Sequence, residues 1–303
     1  MTLLTLALAS ALMVLPATSS AAIVGLGDQN ASTFSDPLFK NLGVNKTRLI
    51  TPYNAAQDKD QKAAVDQWMA AARGKQVMVA FNPKRTMRCP ARPCSAPSAK
   101  QYAKAFKAFR KAYPKVKIYQ PWNESNSKTQ PTSGKRGAKK VAGYYDVIKK
   151  ACKRCTVVGA DIQDIGNFTG YVKDVNRFIK TKKKPKLWGF HNYTDTNRFS
   201  TKNTKKFVRA VKGKVWLTET GGIFSFTTGS GQVSLPPDED RAARSMEHMF
   251  KIAKKFRSRI QRIYVYQWRI TRPDDRFDAG VVNLDGSPRK SYDVLLKNKR
   301  QFK

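Results

Sequence analysis

The chain is poor in acid. Its 303 residues include 58 lysines and arginines against 21 aspartates and glutamates, and only four of the acids are glutamates: Glu124, Glu219, Glu239 and Glu247. Histidine is scarcer still, with His191 and His248 alone. No cluster has metal-ligand spacing, so no metal and no other cofactor is expected. After the N-terminal segment no apolar run approaches the roughly 20 residues a bilayer span requires. There is no Ser/Gly- or Pro-rich stretch long enough to join two domains. A Gly-rich phosphate turn is missing as well: Gly25 and Gly27 lead into Asp28-Gln29-Asn30 without a third glycine, which disfavours a dinucleotide-binding open sheet.

Residues 1–22 read as a secretory leader. An apolar stretch over 3–16 runs into small residues, with cleavage expected near Ala21 or Ala22. The usual basic start is absent, since the first cation is Lys40. The mature protein is therefore expected to be secreted, with one domain over 23–303.

Eight short apolar runs recur with helical segments between them, at 23–29, 46–53, 76–82, 116–122, 156–162, 186–192, 214–218 and 262–268. Most lack clean alternation, as strands covered on both faces do. Helical patterns fill the gaps, notably at 61–72, 98–113 and 240–256, the last opening with Asp238 after Pro236 and Pro237. Eight strand–helix units in about 280 residues predict an α/β protein of the (β/α)8 TIM-barrel class. Four cysteines in an exported chain imply two disulfides. Local pairing, Cys89–Cys94 and Cys152–Cys155, is expected, because a parallel barrel would place the two pairs at opposite ends, beyond the ~4.4–6.8 Å Cα separation of a bridge.

Net charge is +37, concentrated in the helical segments. Such a field attracts polyanions, but it also simply keeps a secreted protein soluble. No helix-turn-helix, zinc-finger or RNP-like signature accompanies the charge, and export disfavours nucleic acid as a partner.

Against this cationic background, Glu124 closes the run KIYQPWNESN and Glu219 closes VWLTETGG. They lie 95 residues apart, at the ends of the fourth and seventh strand-like runs. Three units of about 32 residues suit a barrel and put both carboxyls on its C-terminal face. Two carboxyls facing one another across a cleft form the working pair of glycoside hydrolysis. Taken singly, either could be a structural ion-pair partner.

PWNESN (121–126) and WLTETGG (216–222) resemble the two signatures of the clan A glycoside hydrolases, the 4/7 barrels that include family 5-like and family 39-like enzymes. The resemblance spans the mature chain as a barrel and is specific at these motifs. It implies a retaining β-glycosidase with Glu124 as acid/base and Glu219 as nucleophile, and Asn123 on the sugar 2-hydroxyl. It further implies that Arg48 supports the nucleophile, that His191 and Tyr193 border it, and that Trp268 is a sugar platform. Two positions depart from the pattern: Ser125, where the clan usually has proline, and Asn82, where several families place histidine. Asp161, Asp164, Asp274, Asp275 and Asp278 follow strands five and eight, and either bind sugar hydroxyls or cap helices. The expected activity is endo-acting hydrolysis of a β-linked polysaccharide by a monomer. The alternative is a non-catalytic basic barrel that binds an anionic cell-wall polysaccharide.

Overall fold

The computed structural model describes residues 21–84 and 94–302. Most of the expected leader, and Cys89, lie outside the described residues. Eight parallel strands form the inner wall: β1 (Ile23–Gly27), β2 (Lys46–Pro52), β3 (Gln76–Asn82), β4 (Ile118–Gln120), β5 in two pieces (Thr156–Val157 and Asp161–Gln163), β6 (Leu187–His191), β7 (Lys214–Thr220) and β8 (Ile260–Val265). Each pairs with its neighbours in parallel, and β1 joins β8 on one side and β2 on the other.

The barrel closes at β5. Its first piece pairs with β4 and its second with β6, so the two ends of the sheet belong to one stretch of chain. Between the pieces, Val158 N–H bonds to Tyr119 C=O at 2.9 Å and Gly159 N–H to Leu187 C=O at 2.8 Å, passing the ladder from one neighbour to the other. A closed sheet leaves no edge to pair with another chain.

Around it run α1 (Pro37–Leu42), α2 (Lys59–Ala71), α3 (Ala99–Ala112), α4 (Gly134–Ala151), α5 (Phe168–Phe178), α6 (Tyr193–Asn197), α7 (Lys202–Ala210), α8 (Glu239–Lys255) and α9 (Lys290–Lys297). Helix α3 shows why they form where they do. Ser98 and Gln101 make a reciprocal capping box, and Tyr102, Ala105, Phe106 and Phe109 recur at helical spacing to bury one face. Asp238 likewise caps α8, accepting from Arg241 N–H at 2.8 Å. The main core lies between strands and helices, and a smaller cluster of Met78, Ile118, Val158, Trp216 and Tyr264 forms another inside the sheet.

Cys152 and Cys155 are bridged, with Cα atoms 5.3 Å apart, where α4 hands over to β5. Cys94 is also disulfide-bonded. Among the described residues no helix is long and apolar enough to cross a membrane.

The loops after β7 and β8 add a small antiparallel sheet, Ser225–Thr227 with Val233–Leu235 and Phe277–Asp278, beside the C-terminal mouth. Asp278 anchors it by a two-pronged ion pair with Arg289, 2.8 Å on each arm, while that guanidinium stacks 4.1 Å from the Phe224 ring. Asp278 thus serves neither a sugar nor a helix.

Candidate active site

Inward-facing side chains on the strands change character along the barrel. Above the apolar cluster comes a fully buried polar layer of Arg48 from β2, Gln120 from β4, Asp161 from β5 and Thr218 from β7. Above that, at the C-terminal mouth, stand Glu124, His191 and Glu219, whose ligand atoms all lie within 4.8 Å of one another.

Two local irregularities aim the glutamates. Strict alternation would turn Glu219 away from Thr218, which faces inward. Instead β7 shifts register against both neighbours here, between Phe190 and His191 on one side and between Ile263 and Val265 on the other. The bulge lets consecutive residues face the same space. Glu124, just beyond β4, has φ of +45°, in the left-handed region that a side-chain-bearing residue enters at a cost of order 1–3 kcal/mol. Its neighbours hold it there. Asn123 N–H bonds to Phe81 C=O at 2.7 Å, and Ser125 N–H bonds to Asp161 C=O at 2.8 Å. A proline at position 125 would lack that donor, so Ser125 adds a tie between β4 and β5.

Arg48 organises the layer beneath. Its guanidinium donates to Gln120 Oε1 at 2.8 Å, Glu219 Oε2 at 2.7 Å, Asn123 Oδ1 at 2.5 Å and Asp161 Oδ2 at 2.8 Å. His191 bridges downward through Nε2 to Asp161 Oδ2 at 2.9 Å and upward through Nδ1 to Glu124 Oε1 at 3.2 Å. Thr218 Oγ1 donates to Asp161 Oδ1. Tyr193 OH donates to Glu219 Oε1 at 3.3 Å, and Gln163 Nε2 donates to Glu124 Oε1 at 2.5 Å. Gly189 leaves room for this packing: a Cβ there would sit 2.7 Å from Asp161 Oδ1 and 2.9 Å from Gln120 Nε2.

The electrostatics follow from burial and pairing. Burial alone would strip the His191 proton, but the charges of Asp161 and Glu219 and the hydrogen bonds to Asp161 and Glu124 outweigh it, raising the pKa to about 10. Burial would raise Asp161, yet His191 and Arg48 hold it far below the usual carboxylate range. Glu219 is raised, by burial first and by the charges of Glu124 and Asp161, against the pull of His191 and Arg48. Two cations, Arg48 and the His191 imidazolium, therefore face three carboxyls. The cluster is neutral when the glutamate pair holds one proton. Both Glu219 oxygens meet a donor, whereas the hydrogen bonds to Glu124 converge on Oε1 and leave Oε2 open to the cavity.

The same three residues could be read as a metal site by proximity. The donor set argues otherwise: both imidazole nitrogens point at carboxylates, and an imidazolium has no lone pair for a cation.

Of the residues named from sequence, the structure brings Arg48, Asn123, Glu124, His191, Tyr193 and Glu219 together at one mouth. Trp268 does not join them. Strand β8 ends at Val265, and the alternation that keeps Tyr266 facing the cavity does not carry past it. Trp268 is instead fully buried on the outer side. Its Nε1 donates to Asp36 Oδ2 at 2.8 Å, and its ring packs edge-on against Phe39 and Tyr292. Tyr266 occupies the cavity wall, and the aromatic run YVYQW was the available signal for it. Asp161 is a buried counter-ion rather than a sugar ligand. Asp164 caps α6, accepting from Thr194 N–H at 2.9 Å. Asp275 accepts from Thr271 and Arg272 N–H in its own loop, and Asp274 pairs with Arg272 at 3.5 Å. Gln120 and Gln163, which complete the network, carried no motif.

A cavity of about 680 Å³ opens above the glutamates, walled by Tyr193, Tyr266, Phe226 and Phe277 among others. It is flanked on both sides. One neighbouring cavity of about 580 Å³ shares Tyr266, Arg276 and Phe277 with it, and another of about 740 Å³ shares Thr129 and Ile165.

No protein-family model matches the sequence. No curated protein matches it either. Solved structures do. A GH10 endoxylanase retrieved from a sugarcane soil metagenome is 14% identical with a TM-score of 0.65, covering 92% of this chain and 97% of the other. An endo-beta-1,4-glucanase from Xanthomonas axonopodis pv. citri is 16% identical with a TM-score of 0.62, over 92% and 99%. A family 39 glycoside hydrolase from Bacteroides cellulosilyticus is 15% identical with a TM-score of 0.55, over 92% and 63%. The likeness is one of fold: this chain has the α/β barrel found in those glycoside hydrolases.

Proposed function

We propose that this barrel is a retaining glycoside hydrolase of the clan A type, acting within a β-linked polysaccharide. The observation that carries the reading is that one carboxyl oxygen of Glu124 and one of Glu219 lie within 4.8 Å of each other at the C-terminal mouth. Retaining enzymes place their carboxyls about 5–5.5 Å apart, and inverting ones about 6.5–9.5 Å apart to admit a water. The flanking cavities extend the cleft to either side of the pair, which suits a chain passing through rather than a chain end.

In the first step a Glu219 oxygen bonds to the anomeric carbon as the glycosidic C–O bond breaks, and the Glu124 proton passes to the departing oxygen. The buried cluster then holds two cations against Asp161 and the deprotonated Glu124, and is still neutral. In the second step Glu124 takes a proton from water, whose oxygen attacks the same carbon and releases Glu219 as a carboxylate. Arg48 and Tyr193 receive that returning charge. Asn123 spends Oδ1 on Arg48, so its Nδ2 is the group left for the sugar 2-hydroxyl.

Secretion, with the leader removed near Ala21/Ala22 and one catalytic domain over 23–303, belongs to the same reading, and a disulfide at Cys152–Cys155 fits an oxidising compartment. The test assays wild type, Glu219→Gln and Glu124→Gln on β-glucans, mannans, xylans and uronate polymers. Loss of general acid catalysis in Glu124→Gln should lower kcat about 10²–10⁴-fold. Activity that survives both changes would remove the assignment.

A further inference from the structure

The cleft is lined with cations that have no carboxylate partner among the described residues, although Arg276 also donates to Thr228 C=O at 3.4 Å. Lys128 and Lys135 line one flanking cavity, Arg198 and Arg276 the central one, and Arg269 the other flank beside Arg276. Among the described residues none of the five is within ion-pair distance of a carboxylate. The carboxylates in the same walls are all occupied. Asp174 pairs with Arg177 at 2.9 Å, and Asp274 and Asp275 with Arg272 at 3.5 and 3.3 Å. Asp164 accepts from Thr194, and Asp28 accepts from Asn30 N–H at 2.7 Å and Trp268 N–H at 2.9 Å. Glu124 and Glu219, with Asp161 beneath them, face Arg48 and His191.

Cations left without a carboxylate partner in a concave wall focus their field on whatever enters. A neutral sugar offers these cations only hydroxyls, which water already supplies. Carboxylates on the polymer would give Arg198 and Arg276 a planar, two-pronged partner beside the bond-breaking pair. We infer that the cleft accepts an acidic glycan, whose uronate carboxylates are received by Arg198 and Arg276 at the centre and by Lys128, Lys135 and Arg269 on the flanks. The cleavage of such a glycan rests on the hydrolase reading; its binding does not.

The test uses short oligosaccharides, so that the cationic helices outside the cleft count for little. Hexasaccharides from glucuronoxylan and from hyaluronan are each compared with their carboxyl-reduced forms, which keep the backbone and linkages and lose only the charge. Cleavage is followed with wild type and binding with Glu219→Gln by calorimetry. The acidic form of at least one pair should be preferred about tenfold at low salt, with the preference shrinking as salt rises. Arg276→Gln and Arg198→Gln should each reduce that ratio about three- to tenfold, mainly through KM. The double variant Lys150→Gln/Lys254→Gln, at the far ends of α4 and α8, should leave the ratio intact. Equal binding of acidic and reduced forms, or no binding of either, overturns the inference. So does a preference that persists in the arginine variants but disappears in the lysine variant. Arginine-dependent binding without any bond cleavage would sustain it while refuting the hydrolase. Cleavage of both forms alike would do the reverse.

Discussion

Replacing Arg48 by methionine removes one positive charge from the bottom of the site while keeping an apolar stem of similar length. Arg48 is fully buried and donates to Gln120, Asn123, Asp161 and Glu219, so four acceptors lose a donor at once. Removing one partner of a buried ion pair typically costs about 3–5 kcal/mol, because the remaining charge is left uncompensated. In a chain of this size that lowers Tm by about 5–9 °C. The cluster would then hold one cation, the His191 imidazolium, against three carboxyls, and it regains neutrality only by taking a second proton onto the glutamate pair. Glu219, already raised by burial, loses one of the two charges that pull it down. A nucleophile must be ionised, so the acidic limb of kcat/KM should move to higher pH while the basic limb stays nearer its place. Thermal melts and a pH–rate profile measure both effects, with Arg48→Lys as the variant that keeps the charge and loses the fork. An Arg48→Met protein as stable as wild type, with an unmoved acidic limb, would refute this account of the site's charge balance.

His191 gives a stability signature of its own. Its folded pKa, about 10, lies above its unfolded value of 6.5, so its contribution is complete below pH 6.5 and is lost as pH rises through 10. The stability difference between wild type and His191→Gln should therefore narrow across that window, by up to about 1.4 kcal/mol per pH unit, in denaturant titrations at fixed pH. Trp268→Phe forfeits the hydrogen bond to Asp36 and should cost about 1–3 kcal/mol of stability with KM unchanged, whereas Tyr266→Ala should raise KM. A KM change in the tryptophan variant would restore it as a sugar platform. Gly189→Ala should force Asp161, Thr218 and Gln120 apart, destabilising the fold by about 1–3 kcal/mol and lowering kcat, because Arg48 and His191 are seated on Asp161.

Chain order carried much of this protein. Eight apolar runs alternating with helical segments are enough for a parallel barrel, since strands covered on both faces must be apolar throughout and a short crossover allows little else. The runs at 46–53, 76–82 and 186–192 correspond closely to β2, β3 and β6. Glu124 and Glu219 stood out because acid is scarce and each ends a strand, and in a parallel barrel every such end lies at the same mouth.

Tertiary structure decided what pairs with what and which way each side chain faces. Asp161 looks like any aspartate near a strand end; it becomes a counter-ion only because barrel closure brings it to Arg48, 113 residues earlier, and to His191. Glu219 faces the cleft because β7 bulges, and a bulge reflects register with neighbouring strands, which no single segment encodes. Trp268 turned away for a related reason: a period of two holds only while the ladder continues, and β8 ends three residues before it. Local sequence sets where strands begin and end, while the direction of a side chain at the rim depends on contacts made by residues far away in the chain.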